Sequence, residues 1–178
     1  MLEADGQGEL PGEQLVLLVR MAMAWLAALP GKGAATRTTS PSLTGAAGGW
    51  KPGITFRPVP TGPLRVRADP GRLAQARANL VESAGKDATS AVMVSTRAEG
   101  RWAVLTVDDD GPGLAPHDQP HVFERPYVAR PEPERRANSS GLGLAIVREL
   151  VTGMGGEVAA DSAPNGGARL SIRLPLSG

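Results

Sequence analysis

The sequence predicts an α+β domain with two layers: a mixed, mostly antiparallel sheet, covered on one face by about three helices. Three observations support this fold class. The chain has 178 residues, enough for one domain with a hydrophobic core, and it contains no internal repeat. Segments with helical periodicity are mixed with short alternating segments. Most of the short segments come in pairs separated by turn residues, which is typical of antiparallel hairpins.

The composition narrows the possible functions. With 19 Lys+Arg and 18 Asp+Glu the formal net charge is +1, which gives no reason to expect a nucleic acid or an anionic membrane as a partner. The absence of Cys excludes disulfides, and 2 His disfavour a His-rich metal site. The apolar run from Leu15 to Leu29 is interrupted by Arg20 and is shorter than the roughly 20 residues that span a bilayer. No signal peptide is recognisable, so a cytoplasmic location without direct membrane contact is expected.

The N-terminal region is predicted to hold a flexible leader, one helix and a loop. Residues 1–12 are interpreted as the leader, and one folded domain is expected from 13 to 176. Within the domain, 13–29 has apolar residues along one helical side and ends at a Pro-Gly pair. The segment 31–53 is rich in Gly, Ala, Ser and Thr, and we expect a loop there with one short strand near 35–39.

The rest of the chain is predicted to hold three hairpins and two helices. Six segments alternate as strands and pair in order: 54–59 with 64–68, 91–98 with 102–107, and 157–160 with 168–174. Asp69 is typical of a helix cap and Pro70 of a first helical position, so a helix is expected from there to about Lys86. Between 108 and 140 Pro, Gly and charged residues are frequent, which indicates a long mobile loop with a lid at about 111–140.

A second helix is expected to open with Gly141, after small polar residues. Its apolar residues recur at steps of three and four along one face: Leu144, Val147, Leu150 and Val151. Uncovered N–H groups and the positive dipole end make such a helix start a site for anions, so we interpret it as a phosphate-binding loop. An ordinary helix start is an equally good interpretation of this motif alone.

The helix that begins at Asp69 carries three polar side chains on one side. Asn79, Ser83 and Lys86 follow each other at steps of four and three residues and therefore share a face, while apolar residues face the core. Oxygen ligands suit Mg²⁺ and a Lys ammonium pairs with phosphate, so this face can serve a metal–phosphate group. A solvated polar face is the alternative.

Three carboxylates directly follow a predicted strand, and two glycines follow them. The run Asp108-Asp109-Asp110 can bind a hard cation or form a polar turn. Gly111 and Gly113 favour a third interpretation, because glycines let the backbone turn tightly and approach a flat ligand. A buried Asp109 can then accept a hydrogen bond from an exocyclic amine such as that of adenine, and it would repel the carbonyl of guanine.

The predicted lid contains groups for anchoring and for anion binding. Phe123 and Tyr127 can attach it to the body of the domain. Its arginines can meet phosphates, unless they belong to a charged flexible loop: Arg125, Arg130, Arg135 and Arg136.

These motifs, in this order, resemble those of the ATP-binding catalytic domain of bacterial sensor histidine kinases. That family belongs to a wider group with DNA gyrase, the Hsp90 chaperones and MutL, and the similarity extends from about 13 to 176. Four motifs carry it: the N box at 79–86, the first glycine box at 109–113, the F box at 123–125 and the second glycine box at 141–144.

The resemblance implies a Bergerat-type ATP-binding fold and transfer of the γ-phosphoryl group of ATP, with Mg²⁺, to a histidine. Such transfer depends mainly on positioning and charge neutralisation. Asp109 would hold adenine, Gly111 and Gly113 would shape the base pocket, and Arg125 would contact the nucleotide from the lid. The other implied roles fall on the two helices: Asn79, Glu82 and Lys86 in catalysis; Asn79 and Ser83 at the metal; Asn79, Ser83, Lys86, Gly141, Leu142, Gly143 and Leu144 at the phosphates.

Three features depart from the family pattern. Ser83 stands where the family usually has a second Asn that ligates Mg²⁺. A hydroxyl can ligate Mg²⁺ but has a shorter reach, so weak turnover or a metal held through water is expected. Pro126 and Val128 stand in the places of the usual Phe and second Arg of the F box, and the segment 31–53 is longer than the family leads us to expect.

The phosphoacceptor has no good candidate in this sequence. The only histidines are His117 and His121, and Pro116 and Pro120 disfavour the helix that a phosphoacceptor occupies. The expected acceptor is therefore a His-containing dimerisation domain or a separate His-bearing protein, with a response regulator downstream. The chain is also compatible with the soluble part of a membrane-anchored sensor system.

Two other functions stay open. One is an ATP-sensing regulatory module with weak catalysis, which acts on a partner through lid closure as anti-sigma factors of the same superfamily do; Ser83 favours it. The other is an ATP hydrolase of the gyrase or MutL type. Those enzymes place a glutamate four residues before the metal-binding Asn, and Asn79 stands at that place here, which argues against a hydrolase.

Overall fold

The computed structural model describes residues 53–59, 64–124 and 142–177, together with the strand backbones at 14–17 and 43–44. Within these ranges there are eight strands and two helices. In chain order they are β1 Gln14–Leu17, β2 Leu43–Thr44, β3 Thr55–Val59, β4 Arg65–Ala68, α1 Pro70–Asp87, β5 Ala91–Glu99, β6 Trp102–Asp109, α2 Gly143–Thr152, β7 Glu157–Ser162 and β8 Ala168–Pro175. Neither described helix has the length and apolar character needed to cross a bilayer.

The main sheet has six strands in the order β2-β3-β5-β6-β8-β7. Its neighbours pair antiparallel except β3 and β5, which run parallel with Thr55 opposite Ala91. The β5–β6 hairpin turns at Gly100, where φ is 55°, and the β7–β8 hairpin closes the chain. The predicted mixed, mostly antiparallel sheet and two of its three hairpins are thus confirmed.

One core lies between this sheet and the two helices. The two helices contact each other; α1 also contacts β5, β6 and β8, and α2 contacts β7 and β8. Because side chains alternate along a strand, one face of the sheet supplies the core, and α1 and α2 bury an apolar stripe against it. Members of this core include Val92, Val94, Leu105, Val107, Leu170, Ile172, Leu73, Leu80, Val147 and Val151. The predicted α+β class, with helices on one face, is confirmed.

The start of α1 follows the prediction. Asp69 is the N-cap, its side chain accepts a hydrogen bond from the Arg72 backbone N–H at 2.8 Å, and Pro70 occupies the first turn. Such a cap stabilises a helix by about 1 kcal/mol. The helix ends at Asp87, where the N–H of Ala88 donates to the Ala84 carbonyl at 2.8 Å.

The predicted hairpin of 54–59 with 64–68 is wrong. Both sides of β3 are occupied by other strands, β2 antiparallel and β5 parallel. β4 pairs antiparallel with β1 in a separate two-stranded sheet, with Val66 opposite Val16. Alternation of apolar residues tells which face a strand buries, but not which strand lies beside it.

The predicted helix over 13–29 is wrong at Gln14–Leu17, because these residues form β1. A short apolar run fits a strand or a helix, and pairing with β4 decides between them here. The rest of that helix, the leader 1–12 and the strand predicted near 35–39 lie outside the described residues, as does the lid from 125 to 141.

The first part of the predicted loop is fixed to the body of the domain. β6 continues through Asp109, so the loop begins later than expected. Consecutive turns then follow, closed by hydrogen bonds from the N–H of Asp118, His121 and Glu124 to carbonyls three residues earlier, at 2.8, 2.9 and 2.8 Å. Phe123 is buried in the core, in agreement with its predicted anchoring role.

Candidate functional site

The three consecutive aspartates at the end of β6 point to three different places. Asp108 lies on the sheet face opposite the core, where its two oxygens accept from Arg169 Nε and Nη2 at 2.7 and 2.6 Å. Asp109 lies on the face of the helices. Asp110 leaves the strand and binds the connection between α1 and β5. This divergence does not fit a shared cation, and no cluster of three His, Cys, Asp or Glu able to hold a metal occurs among the described residues.

Asp109 is held by the backbone. Asp109 is only 5% exposed. Its Oδ1 accepts hydrogen bonds from the backbone N–H of Gly111 at 2.8 Å and of Ala168 at 3.2 Å. Among the described residues, no hydrogen bond uses Oδ2, so this oxygen can accept from a ligand. Burial raises the pKa of Asp109, the two N–H groups partly oppose this, and the charges of Asp87 and Asp110 add to it.

Three glycines near Asp109 lie in close contact with backbone atoms of neighbouring segments. A Cβ at Gly111 would lie 2.4 Å from the Asp87 carbonyl oxygen. A Cβ at Gly167, where φ is +78°, would lie 2.1 Å from the Asp109 carbonyl oxygen, and one at Gly113 would lie 3.0 Å from the Gly167 oxygen. The ends of α1 and β6 and the turn before β8 therefore meet at Asp109, with no room for side chains between them.

Gly167 and Ala168 are members of this site that the sequence interpretation missed. The sequence contains a signal, since Gly166-Gly167 directly precedes a strand, but this pair also fits an ordinary hairpin turn. Only the antiparallel pairing of β6 with β8 brings it to Asp109.

The polar face of α1 is present as predicted. Asn79 Nδ2 donates to the Gly143 carbonyl at 3.3 Å, which joins this face to the start of α2. Lys86 Nζ is bound to Glu82 Oε1 at 2.7 Å, one helical turn earlier. Ser83 is half-buried between them. Asn79, Ser83 and Lys86 thus all lie on α1, and the Lys86 ammonium has a carboxylate partner.

The start of α2 presents backbone amides. The helix begins at Gly143, after Leu142, and no side chain caps it. Among the described residues, the first intrahelical bond is donated by Ile146 to the Leu142 carbonyl at 2.9 Å, and the amides at the start of a helix, such as that of Leu144, have no acceptor within the helix itself. Such a helix end attracts anions. Gly141, which was predicted to open this loop, lies outside the described residues.

The remaining predicted groups are those of the lid and the two histidines. Arg125, Tyr127 and the remaining lid arginines lie outside the described residues. His117 and His121 lie in the turns that follow Ala115, and the side chain of His117 is 82% exposed. This placement agrees with the expectation that neither histidine occupies a phosphoacceptor helix.

Comparisons with known proteins show the family to which the chain belongs. Residues 68–178 match the family described as histidine kinase-, DNA gyrase B-, and HSP90-like ATPase. The chain is 42% identical over 112 residues to the signal transduction histidine-protein kinase AfsQ2 of Streptomyces coelicolor. The matched region covers 63% of this chain and 21% of that protein. It thus spans about a fifth of that relative's length.

Two solved structures share the fold. The mycobacterial sensor histidine kinase MprB superposes with a TM-score of 0.58 at 32% identity, over 68% of this chain and 80% of that chain. The ATP-binding domain of PrrB from Mycobacterium tuberculosis gives a TM-score of 0.61 at 23% identity, over 94% of this chain and 99% of that chain.

Proposed function

The chain belongs to the family of histidine kinase-, DNA gyrase B-, and HSP90-like ATPases, and we propose that it is the ATP-binding catalytic domain of a two-component histidine kinase. The observation that supports this function most directly is the Asp109 carboxylate. One oxygen is held by two backbone amides, and the other is left for a ligand. The kinases among its relatives favour phosphoryl transfer over hydrolysis.

Adenine recognition is assigned to Asp109 Oδ2, which accepts from the exocyclic amine. The carboxylate cannot turn away without losing the bonds from Gly111 and Ala168, so little ordering is needed when the base binds. Guanine places a carbonyl oxygen where adenine has the amine, and two acceptors would then face each other. Gly111 and Gly113 keep the backbone close enough to contact the base.

The phosphates are assigned to the face where α1 meets α2. The uncapped start of α2, with the amides of Gly143 and Leu144, attracts the phosphate tail together with Leu142 and Gly141, and Lys86 adds a positive charge. Arg125, from the lid, is proposed to contact the nucleotide as well. Lys86 must exchange its Glu82 partner for a phosphate oxygen, which the exposure of Glu82 permits.

The residues present fit a Mg²⁺ ion that is held mainly by phosphates and water. Asn79 uses its amide nitrogen on Gly143, which leaves its Oδ1 as a ligand, and Ser83 offers a hydroxyl on the same face. Two neutral oxygens are few for a dedicated metal cage, but Mg²⁺ in phosphoryl transfer typically keeps several waters and binds phosphate oxygens. When bound, the ion would neutralise charge on the phosphates.

The proposed reaction is transfer of the γ-phosphoryl group to an imidazole nitrogen. The bond from the γ-phosphorus to the bridging oxygen breaks, a phosphorus–nitrogen bond forms, and ADP leaves. The acceptor is a His-containing dimerisation domain or a separate His-bearing protein, and a response regulator acts downstream. Glu82 is proposed to polarise the attacking imidazole once Lys86 has moved to the phosphates. We place the domain in the cytoplasm, where ATP is available.

The proposal is tested with radiolabelled ATP, Mg²⁺ and a His-bearing dimerisation-helix protein. Acid-labile label on that protein is the expected result. Tight ATP binding without transfer would instead favour the regulatory module that Ser83 suggests.

The base pocket is tested separately with Asp109→Ala. Loss of a hydrogen bond to a charged acceptor costs about 1.5–3 kcal/mol, so the affinity for a nonhydrolysable ATP analogue should fall about 10- to 150-fold. Asp161→Ala is the control, because Asp161 is exposed on β7 and accepts from its neighbour Ser162. Unchanged binding by Asp109→Ala would refute the assignment of the base.

A further inference from the structure

We propose that Asp110 is a positioning residue that holds the end of α1 against the base pocket and thereby aligns the phosphate-binding side chains of α1 with Asp109. This inference rests on the proposed ATP-binding function. It concerns a side chain that does not itself contact the nucleotide.

Asp110 closes the whole connection between α1 and β5 with one carboxylate. Its Oδ1 accepts from the backbone N–H of Thr89, Ser90 and Ala91 at 2.8, 2.9 and 3.1 Å. Its Oδ2 accepts from the Ser90 N–H at 3.1 Å and from the Ser90 hydroxyl. The connection is only three residues long, from Ala88 to Ser90, so this one side chain satisfies most of its donors.

The same connection sets the position of α1 at the base pocket. Ala88 caps the helix, and the carbonyl of Asp87 lies where a Cβ at Gly111 would be only 2.4 Å away. Gly111 in turn donates to Asp109 Oδ1. Asp110 is the residue between Asp109 and Gly111, so the carboxylate that binds the base and the one that binds the α1 connection are adjacent in the chain.

The alignment matters because α1 carries the phosphate half of the site. Asn79 and Lys86 stand on this helix, and Asn79 reaches the start of α2 at Gly143. A helix rises 1.5 Å per residue, so even a shift of α1 by a fraction of one residue along its axis moves these groups by about 1 Å relative to Asp109. Misplacement of about 1 Å can cost about 100-fold in a reaction that depends on positioning.

The hydrogen bonds also keep Asp110 charged. Burial alone would raise the pKa of Asp110, but the bonds from Ser90, Ala91 and Thr89 hold it well below its usual range. The charged carboxylate of Asp110 therefore holds the connection between α1 and β5 at neutral pH.

The experiment compares the affinities of adenosine and of the ATP analogue AMP-PNP with Mg²⁺, measured by NMR titration and calorimetry. The ratio of the two affinities reports what the phosphate half adds to the base half. In Asp110→Ala this ratio should fall about 10-fold, because the base pocket and the phosphate groups lose their alignment. In Asp110→Asn it should fall less than about 3-fold, since the remaining oxygen still accepts from the three amides.

Two further variants keep the test sharp. Asp110→Glu retains the charge but moves it by one methylene, so it should reduce the ratio as Asp110→Ala does, and it carries the test if the alanine variant does not fold. Asp69→Ala removes the cap at the other end of α1. It should lower the Tm and leave the ratio unchanged, which separates alignment from helix stability.

The outcomes are distinguishable from those of the proposed function. If the unaltered chain does not bind AMP-PNP, the proposed function fails and this inference fails with it. If the unaltered chain binds and the ratio is unchanged in both Asp110→Ala and Asp110→Glu, only the role of Asp110 is overturned.

Discussion

The proposed base half of the site, around Asp109, and the proposed phosphate half, on α1, are built in different ways. Around Asp109 the geometry is fixed by backbone atoms: two amides hold the carboxylate, and Gly167 contacts its carbonyl. On the polar face of α1 the binding groups are side chains that are only partly buried, and Lys86 is occupied by Glu82. If the proposed roles are correct, Asp109 needs little rearrangement to accept a ligand, whereas Lys86 must first leave Glu82.

This difference assigns selectivity between bases to the fixed half and an adjustable part of the affinity to the half that rearranges. A rigid acceptor costs little entropy to use and discriminates between bases, because a mismatched group cannot be accommodated by movement. Side chains that must rearrange contribute less, and their contribution depends on the metal and on salt. Changes at the base half should therefore have larger effects than changes at the phosphate half.

The largest effect is expected for Gly167→Ala. The new Cβ would lie 2.1 Å from the Asp109 carbonyl oxygen, and φ is +78°. A side chain at positive φ costs about 1–2 kcal/mol and overpacking typically adds 1–3 kcal/mol, so the free energy of unfolding should fall by about 3 kcal/mol. Gly166 provides a matched control, because φ is +80° and nothing lies within 4 Å of its Cβ position. Urea denaturation should give a loss for Gly166→Ala of only about 1 kcal/mol; equal losses would contradict the close contact.

The next effect is a pH dependence of nucleotide affinity. Burial raises the pKa of Asp109, and its charged form is the better acceptor. Affinity for AMP-PNP should therefore fall on acidification already above the ordinary Asp pKa of about 3.9, by up to about tenfold per pH unit. The contribution of Asp109 to the free energy of unfolding depends on pH in the opposite direction. It is present below the pKa of the unfolded state and is lost as the pH rises through the pKa of the folded state. Calorimetric titrations at several pH values measure the affinity. In Asp109→Asn the fall in affinity on acidification should disappear.

A smaller gain is expected for Ser83→Asn. The longer amide reaches further than the hydroxyl, so the Mg²⁺-dependent part of AMP-PNP affinity should rise about 3-fold, on the scale of one net hydrogen bond. Affinity in EDTA should stay the same. Gln75→Asn, on an exposed turn of α1 before Asn79, is the control and should change neither value. No gain in Mg²⁺ would show that residue 83 does not contact the metal.

The smallest effect is expected for Glu82→Gln. Its partner Lys86 is then free for phosphate, and AMP-PNP affinity should rise about 2-fold at low salt, while an i,i+4 ion pair of this kind contributes only about 0.3–0.5 kcal/mol to stability. Phosphotransfer should fall if Glu82 polarises the imidazole. Weaker binding would instead indicate that Glu82 orients Lys86 toward the nucleotide.

The sequence was sufficient where structure depends on neighbours in the chain. The Asp69-Pro70 start of α1, the turn at Gly100 between β5 and β6 and the polar face of α1 each follow from local chemistry. A buried Asp109 was only a condition of the adenine interpretation, because Gly167 and Ala168 reach it through the pairing of β6 with β8.

Tertiary structure decided what depends on residues far apart in the chain. The partners of β3 and β4, the strand at Gln14–Leu17 and the place of Gly167 beside Asp109 follow from which strands come to lie next to each other. Alternation in the sequence assigns a face to each residue but no neighbour to each strand. The three consecutive aspartates have one chemistry, and they differ in their surroundings because alternation along β6 and the end of the strand direct each carboxylate to a different partner.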